Sequence, residues 1–429
     1  MALWRDSKGA WRAVEDRCPH RLAPLSEGRL ESDGTLQCAY HGWQFDGRGA
    51  CTHIPQLRGD DKAQQVACAS RRSCVRAFPV QEVHGLLWVL PDSSEQAWER
   101  ASEFPSMALP GLTRPPAESG LDVMGGGFFC RDLPIRFDTL CENLFDPAHV
   151  HFAHHSIIGV RQIENGTAVR LQGDVVASGF ECSCNLYGGN STITFQAPGM
   201  SKFQPEGVRT SEVFYGVPTK PGWSRIYAVT LVDTRMPAPK RKFSLNSVLM
   251  RWLGSMTWFV HAFRKHPVLD SDTYLLHVQE RLLLETGNDW KGGFYMPAPA
   301  DGSVVAMRRW FDEFGGAQQG AVPTCEPGTP MPAQMTKRQT IDRYSQHTAH
   351  CRHCSKALRN TERGMAAAAV AGVVAAVWLV ARALVGAPLL APATALGAAA
   401  VVACGLLVRA LAGLREQFRF VDFVHAFNN

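Results

Sequence analysis

The chain has 429 residues and a net charge of +5, without a block of basic residues. This length accommodates two or more domains, and the dispersed charge argues against binding to nucleic acid. Hydrophobic residues make up 45% of the chain and charged residues only 19%, which excludes a disordered protein and favours an enzyme with some apolar surface.

The predicted elements before the C-terminal tail are mainly β. Strand regions broken by Gly and Asp turns are Gly34–Ile54, Val83–Leu90, Gly166–Phe195 and Val213–Val232, the last with a turn at Pro218–Gly222. Helical regions are Asp146–His155, Leu245–Lys265 and Asp272–Glu285, followed by two apolar stretches near the C-terminus.

The 13 cysteines are irregularly spaced apart from two tight clusters that also contain histidine. This pattern predicts metal and thiol chemistry in a reducing compartment rather than a disulfide framework. In the first cluster, Cys18-Pro-His20 and Cys38-Ala-Tyr-His41 each offer one thiolate and one imidazole. Tetrahedral zinc would accept these ligands, and so would a cluster in which one iron takes both cysteines and the other both histidines. Because each loop can hold both irons, the order favours the two-iron cluster.

These loops, together with Leu25-Ser-Glu-Gly28 and the Gly-Trp-Gln-Phe45 that follows His41, resemble the Rieske domain of Rieske oxygenases. The resemblance implies a mainly β Rieske [2Fe-2S] domain over residues 1–95, with Cys18, His20, Cys38 and His41 as the cluster ligands. Such domains have more residues before the first cysteine than the 17 present here. We therefore expect the chain to begin inside the domain.

A second segment, residues 142–155, contains four histidines: His149, His151, His154 and His155. Non-heme iron enzymes that activate O2 use two histidines and one carboxylate on one face of the metal. On a regular helix His151 and His155 share a face, whereas the other two lie about 140° apart. Helical geometry alone therefore favours His151 and His155.

The resemblance favours the other pair, because Asn143, Asp146, His149 and His154 match the Rieske oxygenase motif Asn-x-x-Asp-x-x-His-x4-His. It implies that His149 and His154 bind iron and that the helix is irregular, with a π-bulge as one form of irregularity. Asp146 has two compatible roles. It can cap a helix that starts at Pro147, and it can link a neighbouring subunit's Rieske histidine to this iron.

The third iron ligand must lie downstream, where the candidates are Asp270, Asp272, Glu280 and Asp289. In related monooxygenases the ligand aspartate begins a helix that continues with apolar residues and then a Gln/Glu pair. The segment from Asp272 to Gln279-Glu280 matches this pattern. We therefore expect Asp272 to bind the iron, with Asp270 as the next candidate and helix capping as the alternative role.

Cys351-Arg-His-Cys354 lies just before the first apolar stretch, with His347, His350 and His353 around it. A Cys-x-x-Cys pair can be a reversible dithiol, half of a zinc site or inert. Basic and imidazole neighbours lower a thiol pKa, which favours a redox dithiol. Cys182 and Cys184 lie in a strand-like segment, and we expect them to be packing residues.

The two apolar stretches, residues 364–381 and 383–408, each approach the roughly 20 residues of a membrane-spanning helix. Gly386, Pro388 and Pro392 lie at the turn between them, and basic residues flank both ends. This predicts a transmembrane hairpin over 364–409, between a juxtamembrane segment, 347–363, and a tail, 410–429, with both flanks on the positive side. The alternative is an Ala-rich helical pair buried in a soluble domain.

This combination of motifs resembles the pheophorbide a oxygenase group, which includes the protochlorophyllide-dependent and Rieske-type translocon components of chloroplasts. The resemblance implies an α+β fold with an antiparallel helix-grip catalytic domain over 117–346, and a monooxygenase with a mononuclear Fe(II). It also implies ferredoxin as electron donor, O2 and a chlorophyll-related tetrapyrrole as substrates, thioredoxin as a partner, and a homotrimer. The expected location is the inner envelope or thylakoid membrane, with the catalytic part in the stroma. A redox-sensing translocon component with little catalysis is the alternative.

Overall fold

The structure is a computed structural model that describes residues 1–101, 109, 116–161, 168–186, 189–237, 244–315, 331–388 and 391–427. The chain divides into two units, Met1–Gly120 and Leu121–Asn429. The second unit includes the two apolar helices as well as the large sheet.

The first unit is built from small antiparallel sheets with the strand orders β1-β2-β7, β3-β4-β5-β6 and β8-β9. Its strands are β1 (Ala2–Arg5), β2 (Trp11–Val14), β3 (Arg29–Leu30), β4 (Leu36–Gln37), β5 (Gln44–Phe45), β6 (Cys51–His53), β7 (Ala77–Phe78), β8 (Val80–Val83) and β9 (Leu86–Val89). Its helices are α1 (Asp61–Cys68), α2 (Glu95–Arg100) and α3 (Pro116–Ser119).

Two turns with the same Asp-x-x-Gly pattern, Asp6–Gly9 and Asp46–Gly49, close hairpins in this unit. Asp6 accepts hydrogen bonds from two backbone N–H groups between β1 and β2, and Asp46 does the same between β5 and β6. Gly49 completes the second turn at a φ of +80°, and a Cβ atom there would lie 2.1 Å from the carbonyl oxygen of Val75. The turn therefore requires glycine both for its backbone conformation and for space.

The second unit is organised by one antiparallel sheet of seven strands, in the order β10-β16-β15-β14-β13-β12-β11. The last six strands along the chain follow one another as a meander, and β10 pairs with β16 at one edge. The strands are β10 (Leu121–Leu133), β11 (Val169–Val176), β12 (Gly179–Leu186), β13 (Gly189–Gln196), β14 (Met200–Pro205), β15 (Thr210–Lys220) and β16 (Trp223–Asp233). The turn predicted at Pro218–Gly222 is shorter in the structure, because β15 continues through Lys220.

The helices of this unit are α4 (Phe137–Leu144), α5 (Val150–Ala153), α6 (Leu245–Gly254), α7 (Thr257–Val260), α8 (His266–Glu285), α9 (Trp290–Gly293), α10 (Gly302–Phe314), α11 (Lys337–Thr340), α12 (Arg352–Leu384) and α13 (Pro392–Gln417). Two π-helical segments, His261–Lys265 and Tyr344–Thr348, adjoin them. The helix predicted over Leu245–Lys265 is therefore wrong as one element, since it breaks after α6 and ends in a π-helical segment.

Apolar contacts between helices and the sheet form the core of the second unit. Met307 and Trp310 of α10 pack on Phe195 of β13, with the Trp310 and Phe195 ring centroids 4.9 Å apart. Leu269 and Leu276 of α8 pack in the neighbouring cluster that contains Leu133. Because these leucines are seven residues apart, they share one face of α8. The core thus fixes α8 relative to the sheet.

Helices α12 and α13 pack against each other and expose most of their apolar side chains. Only 6% of the most apolar window of each helix is buried, and each helix is long and apolar enough to cross a membrane. Their contact is close at Gly397, where a Cβ atom would lie 2.6 Å from Trp378. Small residues allow such close helix contacts in membranes. This exposure is unlike that of a helical pair enclosed in a soluble domain.

Candidate metal centres

The first candidate centre is formed by two loops with the same backbone turn. The N–H of Leu22 donates to the Cys18 carbonyl at 2.9 Å, and the N–H of Gly42 donates to the Cys38 carbonyl at 3.0 Å. Leu22 and Gly42 both have positive φ, 62° and 77°. Each loop therefore projects its cysteine and its histidine in an equivalent way.

The four donors of these loops form two pairs. Cys18 and Cys38 are buried, and burial together with the neighbouring Cys38 thiol raises the pKa of Cys18 to about 11. The His20 and His41 rings lie 4.6 Å apart between centroids, and His20 also stacks on Trp43. Within the described residues, these four side chains do not form a set whose ligand atoms all lie within 4.8 Å. A thiol pair and an imidazole pair fit a two-iron cluster better than a single zinc ion.

The second candidate centre joins the end of α5 to α8. The Nε2 atoms of His149 and His154 are 3.2 Å apart, and they lie 3.7 Å and 3.3 Å from Oδ2 of Asp272. Three ligands at right angles around one ion, with bonds of about 2.1 Å, would be about 3.0 Å apart. The three atoms can therefore occupy one face of a metal ion.

Two further polar side chains orient these donors. Ser271 Oγ donates to the Val268 carbonyl at 2.6 Å, so it accepts the Nδ1–H of His154 at 2.7 Å. This places the His154 proton on Nδ1 and leaves the lone pair of Nε2 facing Asp272. The Asn143 side chain hydrogen-bonds to Asp272. Each contact favours the protonation state that a metal ligand requires.

Burial and the neighbouring charges shift the pKa values of all three groups. Burial alone would lower the pKa of His149, but the carboxylates of Asp272 and Asp146 outweigh it and raise the pKa to about 9. Burial, followed by the charge of His149, lowers the pKa of His154 to about 3. Burial raises the pKa of Asp272 to about 6, against the opposing effects of His149 and Asn143. Without a metal, a proton on His149 balances Asp272 at neutral pH.

The helix predicted over Asp146–His155 is wrong in extent, because α5 is a single turn that ends at Ala153. His154 leaves the helix with φ −102° and ψ 24°, which turns its ring back towards His149. The segment is irregular, as expected, but it contains no π-bulge. Early termination of the helix, rather than a bulge, brings the two histidines together.

The other predicted residues of this segment make local contacts. His151 and His155 accept hydrogen bonds from the backbone N–H groups of Val160 and Arg161. Asp146 does not cap α5, which has His149 at its N-cap position; its Oδ1 accepts from the Ala148 N–H at 2.8 Å instead. The other carboxylate oxygen of Asp146 lies 3.6 Å from Nδ1 of His149.

The remaining downstream acidic candidates are held elsewhere. Asp270 is fully buried between Arg131 and Arg343, each 2.7 Å away, and Arg343 also donates to the Gln417 carbonyl at the end of α13. Glu280 accepts the N–H of Arg136 at 2.7 Å, and burial raises its pKa to about 7. Asp289 caps α9. Among these acidic candidates, only Asp272 meets the histidines.

The Cys-x-x-Cys pair lies in a third group of donors. The structure brings Cys351 and Cys354 together with His261 and His347, and their ligand atoms all lie within 4.8 Å of one another. Both cysteines are free thiols. A hydrogen bond from Cys354 holds the pKa of Cys351 well below its usual range, although burial opposes it. Cys182 and Cys184 are instead buried in the apolar core of the sheet.

Sequence reasoning missed Ser271 and His261. Ser271 lies between two candidate aspartates, but a serine in a helix carries no signal of its own. His261 is separated from Cys351 by 90 residues, and its role depends on tertiary contacts alone. His347 is close to the Cys-x-x-Cys pair in sequence, so the sequence does indicate it.

Comparisons with known proteins identify the family of each part of the chain. Residues 1–79 match the family described as Rieske [2Fe-2S] domain, and residues 191–290 match the family described as Pheophorbide a oxygenase. A chloroplastic pheophorbide a oxygenase of Oryza sativa subsp. japonica is 32% identical, over 99% of this chain and 80% of its own length. A chloroplastic flavonoid 8-hydroxylase 2 of Ocimum basilicum is also 32% identical, over 84% of this chain and 68% of its own length.

A solved structure has the same fold. Dicamba monooxygenase bound to 3,6-dichlorosalicylic acid superposes with a TM-score of 0.50 and 19% identity, over 73% of this chain and 88% of that chain. A Rieske domain followed by an antiparallel-sheet domain is thus the arrangement of this chain as well. The first unit contains the Rieske motif, and the second contains the candidate mononuclear centre.

Proposed function

Because the chain belongs to the pheophorbide a oxygenase family of Rieske-type non-heme iron oxygenases, we propose that it is a ferredoxin-dependent monooxygenase of a chlorophyll-related tetrapyrrole. One observation carries the proposal: His149, His154 and Asp272 direct three ligand atoms at one point. This is the ligand set that O2-activating ferrous enzymes use.

The residues for two iron groups are available in the chain. Cys18, His20, Cys38 and His41 would hold the [2Fe-2S] cluster, and His149, His154 and Asp272 would hold Fe(II). When bound, these groups supply single electrons and the activation of O2.

The surrounding side chains prepare the mononuclear site. Ser271 keeps the His154 proton on Nδ1, and Asn143 donates to the Asp272 carboxylate. One carboxylate oxygen of Asp146 accepts from the Ala148 N–H, and the other lies 3.6 Å from Nδ1 of His149. We assign Asp146 as the link to the Rieske histidine of a neighbouring subunit, a role that requires a homotrimer.

The proposed substrate class follows from the relatives and from the apolar helices. The named activity of the rice relative concerns pheophorbide a, and that relative is chloroplastic. Helices α12 and α13 would insert into a chloroplast membrane as a hairpin, with the catalytic part in the stroma. A planar apolar macrocycle partitions into or near the same bilayer, which brings enzyme and substrate together.

The alternative is a redox-sensing component of the inner-envelope translocon. A sensor needs the Rieske cluster and a thiol pair, but it does not need a second, mononuclear centre. The convergence of His149, His154 and Asp272 therefore favours catalysis.

The experiment that tests the proposal uses the full chain in detergent or nanodiscs, with reduced ferredoxin, 18O2 and pheophorbide a, protochlorophyllide or chlorophyllide a. We expect one 18O atom in the product, detected by mass spectrometry. Asp272→Asn should abolish this product and retain the paramagnetic signal of the Rieske cluster. The basil relative suggests a flavonoid as a comparison substrate.

The outcomes separate the parts of the proposal. Oxygenation of a flavonoid without any tetrapyrrole product would support an oxygenase and reject the proposed substrate class. Absence of O2 consumption with every compound would favour the sensor. Full activity of Asp272→Asn would remove Asp272 from the site.

A further inference from the structure

A third group of donors lies at the base of α12, apart from both iron centres. We propose that it is a structural zinc site with four protein ligands: His261, His347, Cys351 and Cys354. No step of the proposed oxygenase reaction uses these residues.

The distances within the group match one tetrahedral ion. His261 Nδ1 lies 3.2 Å from His347 Nε2, 3.5 Å from Cys354 Sγ and 3.7 Å from Cys351 Sγ. His347 Nε2 lies 3.3 Å from Cys354 Sγ. Zinc bonds of about 2.3 Å to sulfur and 2.0–2.1 Å to nitrogen place tetrahedral ligands about 3.4–3.8 Å apart. The observed separations lie close to this range without any ion.

Hydrogen bonding alone does not require this arrangement. A hydrogen bond brings only two atoms together. Four side chains linked by hydrogen bonds could therefore form a linear series whose first and last members are far apart. Here every ligand atom lies within 4.8 Å of every other. Mutual proximity of two sulfur and two nitrogen atoms is what a single soft or borderline cation imposes. The same proximity is too tight for a two-iron cluster, which separates its cysteine pair from its histidine pair.

The tautomer of His347 is already that of a metal ligand. Its Nδ1–H donates to the backbone carbonyl of Cys130 on β10. The lone pair of Nε2 therefore faces Cys354 and His261. Histidines that bind zinc commonly donate their other ring N–H to a carbonyl or carboxylate, which fixes the ring.

Most of the site is shielded from solvent, and Cys351 is half-buried. His261, His347 and Cys354 are buried, and the Phe129 ring lies 5.0 Å and 4.9 Å from the two imidazoles. Four protein ligands and no open position are typical of structural rather than catalytic zinc.

The backbone gives a second, independent indication. Each of the two π-helical segments of the described chain carries one histidine of the group: His261–Lys265 begins with His261, and Tyr344–Thr348 contains His347. The π-helix is rare in proteins, and its single turns are frequently found at functional sites. The zinc ion offers a physical reason for both distortions.

The site would connect three parts of the second unit. Cys351 and Cys354 begin α12, His261 follows α7, and His347 is held by the edge strand β10. Phe418, just after α13, packs in the same cluster as Cys354. Zinc would therefore fasten the base of the apolar helical pair to the sheet.

The test measures zinc in the full-length protein, purified in detergent without added metal or chelator. We expect about one zinc ion per chain, measured by inductively coupled plasma mass spectrometry. X-ray absorption at the zinc edge should give two sulfur ligands at about 2.3 Å and two nitrogen ligands at about 2.0–2.1 Å. This measurement needs no variant and is independent of iron and of oxygenase activity.

Variants then locate the ion. Cys351→Ala with Cys354→Ala should reduce zinc to near zero and leave the Rieske signal unchanged, whereas Cys351→His, which keeps a ligand atom, should retain zinc. The control pair Cys182→Ala and Cys184→Ala removes two buried cysteines outside the group and should retain zinc as well.

Two results would overturn the proposal: wild-type protein without zinc, or zinc with no sulfur in its first coordination sphere. If the wild-type protein is purified without zinc and its Cys351–Cys354 disulfide forms and opens reversibly, the pair is a redox dithiol instead. Failure of the oxygenase assay would leave these outcomes unaffected.

Discussion

His154 and Ser271 are hydrogen-bonded at 2.7 Å although they are 117 residues apart in the chain. The bond joins α8 to the segment after α5, and it sets which nitrogen of His154 can bind a metal. Because the next residue of α8 is Asp272, one turn of this helix both orients a histidine ligand and supplies the carboxylate.

Ser271→Ala removes the acceptor for the Nδ1–H of His154. We expect roughly 10–100-fold weaker Fe(II) binding, as for other residues that support metal ligands. Iron content and Fe(II) titration of apoprotein measure the effect. Ser303→Ala, another buried serine on α10, is the matched control and should bind iron normally. Equal affinities for the two variants would refute this role of Ser271.

Asp270→Asn and Asp272→Asn should differ sharply although the residues are near neighbours. Asn at position 270 leaves Arg131 and Arg343 buried without their countercharge, which we expect to cost roughly 3–5 kcal/mol of the free energy of unfolding. Asn at position 272 should spare stability and abolish the mononuclear iron. Denaturant unfolding and iron content of both variants make the comparison, and the reverse pattern would assign Asp270 as the ligand.

Fe(II) affinity of the apoprotein should depend on pH in two steps. The pKa of His149 is about 9, so binding must release its proton at any lower pH. Below about 6 a proton on Asp272 must also leave. The logarithm of the binding constant should therefore rise with a slope near two below about pH 6, near one up to about 9, and near zero above. Anaerobic titrations measure it; a flat profile would contradict the proposed ligand set.

Replacing both His20 and His41 with cysteine should lower the reduction potential of the [2Fe-2S] cluster. Two thiolates in place of two neutral imidazoles add negative charge, so the potential should fall towards about −400 mV from the Rieske range of about −150 to +300 mV. Redox titration followed by paramagnetic resonance is the measurement. His53→Cys, in the same unit, should leave the potential unchanged, and an unchanged potential in the double variant would exclude these histidines as ligands.

Membrane binding should depend on the exposed apolar faces of the helical pair. Val374→Asp with Leu406→Asp should weaken insertion, because each aspartate at a helix centre costs about 2.5–3.5 kcal/mol. Liposome flotation of the full chain compares this variant with Val66→Asp, which alters an equally exposed valine of the first unit. If the double variant floats like the unaltered chain, the hairpin does not anchor the protein.

The sequence alone predicts metal ligands well where a short backbone turn positions them. Cys18 and Cys38 each begin a loop closed within five residues by the same turn, so order along the chain was sufficient to pair them. The helical-wheel argument failed for the histidines because α5 ends at Ala153, before the second ligand. A periodicity argument assumes that the helix continues.

Long-range contacts set the limit of prediction elsewhere. Asp270 and Asp272 lie on one helix and have the same side chain, and only the positions of Arg131 and Arg343 distinguish their environments. Nothing near His261 in sequence points to Cys351, because the break after α6 and the π-helical segment arise from packing.

Arg343 joins Asp270 on α8 to the carbonyl of Gln417, the last residue of α13. The Arg343 guanidinium therefore connects α8, the helix that carries Asp272, to the C-terminal end of α13. Membrane helices longer than the bilayer is thick tilt, and shorter ones thin the bilayer locally, each at a modest energetic cost. Any load on the end of α13 would therefore meet α8 at the buried Arg343–Asp270 ion pair, two residues before Asp272.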